Sequence, residues 1–373
     1  MRDLVEPHLQ NLIPYIPGKP IEETEREYGV TNIAKLASNE NPMGPSPLAL
    51  EAMVKAARSA HLYPDAGGFF LKERILQRHE EHKVRPEQLV LGNGTNEILT
   101  LLVRAFVGDG EAVLLGWPSF VVYRLAAKSQ NRAEVAVPLK DDLTYDFPAM
   151  AAQFAERPEI KLVFLANPNN PTGQGFSDEE LQGFLKVVPE DVVVVLDEAY
   201  AEYVDRADYP DGVALAMSRP RTVVTRTFSK AFGLAACRVG YAICDPQIAD
   251  ILNRLRDPFN TNTIGQAAAL AALGDVKHVA RSKTHNLAER PRLALGLSDR
   301  GFKVVPSDAN FVLARVQNGM PDIPALHEEL LKRAVIVRPV IGYGLADAAR
   351  ITVGTVEEND RLLEALDAIL DRT

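Results

Sequence analysis

Along residues 88–243 the chain repeats one pattern of hydrophobic and polar positions: a short unbroken apolar run, a turn of Gly, Asn or Pro, then a longer stretch with apolar residues every three or four positions. The runs near 89–91, 112–115, 161–166, 192–196, 222–225 and 239–243 are continuous rather than alternating, as strands buried on both faces are. The longer stretches predict helices, and the one after Gly94 should run to about Phe106. Strands alternating with helices predict an α/β fold with a mainly parallel central sheet covered by helices, whose ligand crevice lies at the carboxyl ends of the strands. After Pro258, an alanine- and leucine-rich helix (265–273) and a polar helical stretch (about 277–297) are expected to lead away from this sheet into a smaller α/β unit. The expected division is a large domain of residues 40–270 and a small domain of residues 1–39 and 271–373 that includes an N-terminal arm.

Composition narrows the function classes. A chain of 373 residues with 46% apolar content can bury a large core and a second, smaller one. A net charge of −9 and the lack of a basic stripe argue against nucleic acid as a partner. Cys237 and Cys244 have no metal-ligand spacing, so no metal is expected, and a single possible pair makes no disulfide framework. The start Met1-Arg-Asp-Leu-Val-Glu lacks a secretory pattern and no apolar run reaches membrane-spanning length, so the expectation is a cytoplasmic protein without a membrane partner.

Candidate chemistry collects at the strand ends. Thr227-Phe-Ser-Lys-Ala-Phe-Gly-Leu234 sets Lys230 between small hydroxyl residues just after an apolar run. A lysine of lowered pKa attacks carbonyls and can form a Schiff base with pyridoxal phosphate; the same segment also reads as a solvated lysine in a serine-containing loop. Asp197 ends the run 191–196, where a fixed carboxylate can keep a pyridine nitrogen protonated, and Tyr200 can donate to that ring's phenolic oxygen. Otherwise Asp197 and Glu198 would cap the next helix. Asn170, before Pro171, is restricted to extended geometry and can donate to the same oxygen as Tyr200, or serve only the turn. Gly94 and Thr95, opening a helix, suit a dianionic phosphate, with Thr227, Ser229 and Arg238 as further donors.

In this order, and together with Leu36-Ala-Ser-Asn-Glu-Asn-Pro-Met-Gly-Pro-Ser46, Leu62-Tyr-Pro-Asp65 and Ala349-Arg-Ile-Thr-Val-Gly-Thr355, these segments resemble the fold-type I pyridoxal-phosphate aminotransferases. Within that family they are most similar to the histidinol-phosphate aminotransferases, over nearly the whole chain. The resemblance implies pyridoxal 5'-phosphate as cofactor, Lys230 as the Schiff-base lysine, Asp197 on the pyridine nitrogen, Tyr200 and Asn170 on the phenolic oxygen, and the phosphate on Gly94, Thr95, Thr227, Ser229 and Arg238. Phe120 occupies the ring-stacking position, commonly tyrosine. Tyr63 is implied to reach the cofactor phosphate of a neighbouring subunit, so each site would be shared across a homodimer. Arg338 and Arg350 are implied to clamp the phosphate of histidinol phosphate and the carboxylate of glutamate in turn, with Tyr15 assisting and Asn39 and Asn170 on the substrate side.

The activity so implied is transamination of L-histidinol phosphate with 2-oxoglutarate, by ping-pong kinetics through pyridoxamine phosphate. The chain departs from the commoner pattern at Thr95-Asn96, where Ser-Asp is usual, at Phe120, and at Ala235-Ala236-Cys237. Both arginines also read as strand-end surface charges. Aromatic aminotransferases share nearly all these motifs. A threonine-phosphate decarboxylase has a similar body. A non-catalytic regulator would carry a DNA-binding module, for which no residues remain. A nicotinamide enzyme is disfavoured because Leu91-Gly-Asn-Gly-Thr-Asn lacks the spaced third glycine.

Overall fold

The computed structural model describes residues 4–10, 12–14 and 17–370. A short strand, β1 (Ala34–Lys35), precedes seven that build the main sheet: β2 (Leu89–Gly92), β3 (Ala112–Trp117), β4 (Ala133–Pro138), β5 (Ile160–Ala166), β6 (Val193–Asp197), β7 (Thr222–Thr227) and β8 (Gly240–Ile243). Their order is β2-β8-β7-β6-β5-β3-β4; β8 runs antiparallel to both neighbours and all other pairs are parallel. All six expected strands are present. The one missed, β4, sits at the sheet edge and alternates buried and exposed residues, so it lacks a continuous apolar run.

The apolar runs are explained by two cores, one on each face. Leu114, Val163, Leu165, Val194, Leu196 and Val224 point into one, while Val113, Leu115, Leu162, Phe164, Val195 and Val223 point into the other. Successive side chains of a strand point to opposite faces, so a strand apolar at every position needs cover on both. The helix Thr95–Phe106 covers the second face with Ile98, Leu99, Leu102 and Val103.

The remaining strands, β9 (Lys303–Val305), β10 (Phe311–Arg315), β11 (Val335–Ile336), β12 (Arg338–Pro339) and β13 (Ala348–Thr352), form the smaller unit. Four of them make an antiparallel sheet in the order β12-β13-β10-β9, and β11 pairs in parallel with β1, so the chain near residue 34 belongs to this unit. Its core joins Leu293 and Leu297 of the long helix Val276–Asp299 to Leu362 and Leu366 of Val356–Leu370. One expectation changes. The alanine-rich helix Thr263–Gly274 does not lead away from the main sheet, because Ala268, Ala269, Ala272 and Leu273 pack into the main core; only the helix after it departs. Among the described residues no helix is long and apolar enough to cross a membrane.

The carboxyl end of β6 carries two acids in succession, and the pleat sends them to opposite faces. On one face Glu198 is buried and accepts hydrogen bonds from Arg226 Nη2 (2.6 Å) and Nε (2.9 Å). Gly212 makes room for it, since a Cβ there would lie 2.0 Å from Glu198 Oε1. Truncating Arg226 would strand a buried carboxylate, which costs about 3–5 kcal/mol. Arg226→Met should therefore lower the thermal unfolding midpoint, and Arg226→Met with Glu198→Gln should recover much of the loss. A single variant as stable as the parent chain would contradict the pairing.

Candidate active site

On the other face, Asp197 opens onto a cavity of about 310 Å³ that lies between the strand ends of the main sheet and Arg350 of β13. Strand ends and the turns after them supply most of its wall: Ala166 and Asn170 after β5, Asp197 and Tyr200 after β6, Thr227, Ser229 and Lys230 after β7. Helix starts add Thr95 and Tyr123, and Ser38 and Asn39 close it from the N-terminal segment. Three cations line it, Lys230, Arg238 and Arg350, against Asp197 as the one carboxylate among the described lining residues.

Each charged group has its own restraint. Lys230 Nζ donates to the Ser38 carbonyl at 3.2 Å. Desolvation, and then the charge of Arg350, bring its amine down to about 8. Asp197 is buried; its Oδ2 accepts from the Tyr123 hydroxyl at 2.8 Å and its Oδ1 from Thr225 at 3.2 Å. Burial pushes this carboxyl up from its ordinary value, and the two hydroxyl donors oppose that push. The Tyr200 hydroxyl accepts from Asn39 Nδ2 at 2.9 Å, and burial raises it to about 12.

Arg350 donates through Nη1 to Asn170 Oδ1 and through Nη2 to the Ala37 carbonyl, both at 2.6 Å, which fixes the guanidinium plane. Its Nε is buried and has no hydrogen-bond partner among the described residues. An orphan donor on a permanent cation is a costly arrangement that an anion would relieve.

The helix Thr95–Phe106 starts at Gly94, whose φ of 70° lies in the left-handed region. A Cβ at Gly94 would come within 2.4 Å of Arg238 Nη2, so glycine is what lets the guanidinium close over the helix start. Arg238 Nη1 is steered by the Ala235 carbonyl (3.1 Å) and Ser229 Oγ (3.4 Å), and Ser229 N donates to Thr227 Oγ1 at 3.1 Å. No carboxylate among the described residues pairs with Arg238. Backbone N–H groups at a helix start, two hydroxyls and an arginine without a counter-charge make an anion seat.

Most of the expected site residues thus meet: Thr95, Phe120, Asn170, Asp197, Tyr200, Thr227, Ser229, Lys230, Arg238, Asn39 and Arg350 line one cavity, with Gly94 at its edge. Expectations for five residues are changed or left aside. Arg338 does not reach the cavity: it lies in register opposite Arg350 but lines a separate groove of about 850 Å³ with Trp117 and Tyr343. Tyr63 lies apart too, 81% exposed and stacked on Phe259 with ring centroids 4.6 Å apart. Asn170 commits its oxygen to Arg350, so only its Nδ2 is left for a ligand, and Asn39 is tied to Tyr200. Tyr15 lies outside the described residues. Sequence reading missed Tyr123 and Thr225, whose signal was positional: one helical turn after Phe120, and the residue in register with Asp197 across β6 and β7.

The chain matches the family model described as aminotransferase class I and II over residues 31–366. It is 52% identical over 372 residues to a histidinol-phosphate aminotransferase of Anaeromyxobacter sp., covering 98% of this chain and 99% of that protein. It is 45% identical to histidinol-phosphate aminotransferase 2 of Pseudomonas fluorescens, over 99% of this chain and 98% of that one. Among solved structures, the histidinol-phosphate aminotransferase from Sinorhizobium meliloti in complex with pyridoxal-5'-phosphate matches with a TM-score of 0.89 at 29% identity, covering 99% of this chain and 98% of that chain.

The amine at residue 230 should titrate near 8 in the ligand-free protein. Its neutral, reactive fraction then grows as pH rises through that value rather than through the ordinary lysine range near 10.4. Removing Arg350's charge should move the midpoint up. Reductive ¹³C-methylation followed by NMR titration of the Lys230 signal measures this, and a midpoint above 10 would contradict the electrostatics described.

Proposed function

The chain belongs to the aminotransferase class I and II family, and from that premise we propose that it transfers the amino group of L-histidinol phosphate to 2-oxoglutarate, yielding imidazole acetol phosphate and L-glutamate, with pyridoxal 5'-phosphate as cofactor. The observation that carries this reading is the cavity's charge: Lys230, Arg238 and Arg350 share its wall with one carboxylate among the described lining residues, Asp197, and Arg350 Nε has no partner among the described residues. Such a site takes up anions, and both the cofactor and the substrates bring them.

The residues present fit that cofactor. The Gly94 cradle under Arg238, with Thr95, Thr227 and Ser229, would hold its phosphate, Asp197 would face the ring nitrogen, and Asn170 Nδ2 and Tyr200 the ring's oxygen. Phe120 is the aromatic wall available to stack on the ring. When bound, the cofactor supplies a carbonyl that condenses with amines and a protonated ring that accepts the electron pair freed at the amine-bearing carbon. Lys230, with its amine brought down to about 8, can hold the cofactor, yield it to an incoming amine, and then carry the proton away from the substrate carbon. The Ser38 carbonyl, 3.2 Å from Nζ, keeps that amine at the cavity wall.

Arg350 selects anionic substrates. Its plane is fixed by Asn170 and Ala37, and a planar guanidinium accepts phosphate and carboxylate equally well. One clamp then serves histidinol phosphate in the first half-reaction and the oxo acid in the second, which accounts for alternation at a single site. We assign the main sheet and its helices, through Gly274, to a cofactor domain and the β9–β13 unit with residues near β1 to a substrate-closing domain. The site is further proposed to be completed by a second copy of the chain. Tyr63, Leu62, Val54, Phe69 and Phe70 are all at least 60% exposed, an apolar surface that a partner would cover while Tyr63 reaches its cofactor phosphate.

Three results check this reading. Cofactor-loaded protein mixed with L-histidinol phosphate and no acceptor should convert the cofactor to its aminated form faster, at low substrate, than with phenylalanine or tyrosine. Preference for the aromatic amino acids would reassign the substrate, and release of carbon dioxide would reassign the reaction. Arg350→Met should lower kcat/KM for both half-reactions by roughly 100-fold, as expected for loss of a buried charged hydrogen-bond partner; an effect on one substrate alone would rule out the shared clamp. Mixing inactive Lys230→Ala with inactive Tyr63→Ala should restore part of the activity, and no recovery despite demonstrated subunit exchange would count against a shared site.

A further inference from the structure

Tyr123 stands on the helix Val122–Ser129, with its ring fully buried. It stacks on Phe164 of β5 at 4.5 Å between centroids and 7° between planes, and Phe120 meets it edge-on at 5.7 Å. This packing leaves its hydroxyl one direction, toward Asp197 Oδ2, to which it donates at 2.8 Å. Thr225, in register with Asp197 on the neighbouring strand, donates to Oδ1 at 3.2 Å. Both carboxylate oxygens are therefore held by neutral donors from two elements before any ligand arrives.

We propose that Tyr123, supported by Thr225, is a positioning residue that decides where the proton shared by Asp197 and the cofactor's ring nitrogen rests. This rests on the reading above that Asp197 faces that nitrogen. A buried carboxyl without donors favours its neutral form and would keep the proton, leaving an uncharged ring that accepts electrons poorly. Donors to the carboxylate favour its ionised form and so hand the proton to the ring. The same balance shows in the protein alone, where burial raises Asp197 while Tyr123, Thr225, the Ala199 backbone N–H and the charge of Lys230 oppose it.

The other groups around the carboxylate do not take over this role. Tyr145 accepts from the Ala166 backbone N–H at 3.0 Å, and Tyr200 is held by Asn39 and faces Arg350's charge. Tyr123 itself stays a donor, because burial and the neighbouring Asp197 charge hold its hydroxyl well above its ordinary value. Phe120, which precedes this helix and meets Tyr123 edge-on, has no hydroxyl, so of the two rings Tyr123 is the one that can donate to Asp197.

The test uses protein loaded with pyridoxal phosphate labelled with ¹⁵N at the ring nitrogen, whose chemical shift reports protonation directly. Tyr123→Phe keeps the stack on Phe164 and removes only the donor. It should shift the nitrogen toward the neutral value, by about one pH unit in its titration midpoint, since a hydrogen bond to a charged group is worth roughly that much. Thr225→Val should shift it in the same direction by less, and kcat should fall about tenfold with KM little changed. An unchanged ¹⁵N shift in Tyr123→Phe overturns the proposal even if activity drops, because packing alone would then explain the loss. Should Tyr123→Phe fail to fold, Thr225→Val decides, with an unchanged shift again contradicting it. Asp197→Asn separates the two levels of argument: a nitrogen that stays protonated there would remove Asp197 from the ring, and with it the premise.

Discussion

Three cationic side chains, Lys230, Arg238 and Arg350, are held around one small cavity with Asp197 as the single carboxylate among the described lining residues. Gathering like charges out of water costs free energy, and the surrounding structure is arranged to hold them there. Arg350 is fixed by an amide oxygen and a backbone carbonyl, Arg238 by a carbonyl and a serine hydroxyl, and Lys230 by a carbonyl. All of these restraints are neutral. Three cations against one lining carboxylate leave an excess of positive charge that suits an anion, and desolvation together with Arg350 lowers the lysine amine toward the range where it can act as nucleophile and base, although the charges of Glu40 and Asp197 oppose that shift.

The sheet makes this arrangement possible because parallel strands deliver their ends side by side. β5, β6 and β7 place Asn170, Asp197 and Lys230 at one edge, and the pleat of β6 separates two adjacent acids completely. Glu198 goes to the far face, where Arg226 neutralises it as part of the scaffold. Asp197 goes to the cavity, where two hydroxyls, a backbone N–H and a lysine moderate it. Two carboxylates one residue apart thus serve stability and chemistry separately.

Much of this was legible in the sequence, for identifiable physical reasons. Continuous apolar runs mark strands with cover on both faces, so six strands were evident, whereas β4 at the edge alternates and was not. Lys230, Asp197 and Gly94 were legible because strand-end chemistry is local to a few residues. Tyr123 was not, because its contact with Asp197 spans 74 positions and depends on a helix packing over β5. The position of Arg338 was not legible for the same reason: strand register sets it opposite Arg350, yet it lines a neighbouring groove rather than the cavity. Thr263–Gly274 read as a departing helix because its alanines carry no directional pattern, and only the packed core reveals that they serve the main sheet.

The central claim is that the Lys230 amine is the covalent attachment point for pyridoxal phosphate in this cavity. Borohydride reduction of the cofactor-loaded protein, followed by proteolysis and mass mapping, tests it most directly. A single pyridoxyl adduct on Lys230, absent from Lys230→Ala, is the expected result. An adduct on another lysine, or none from a protein that binds the cofactor stoichiometrically, would contradict the account.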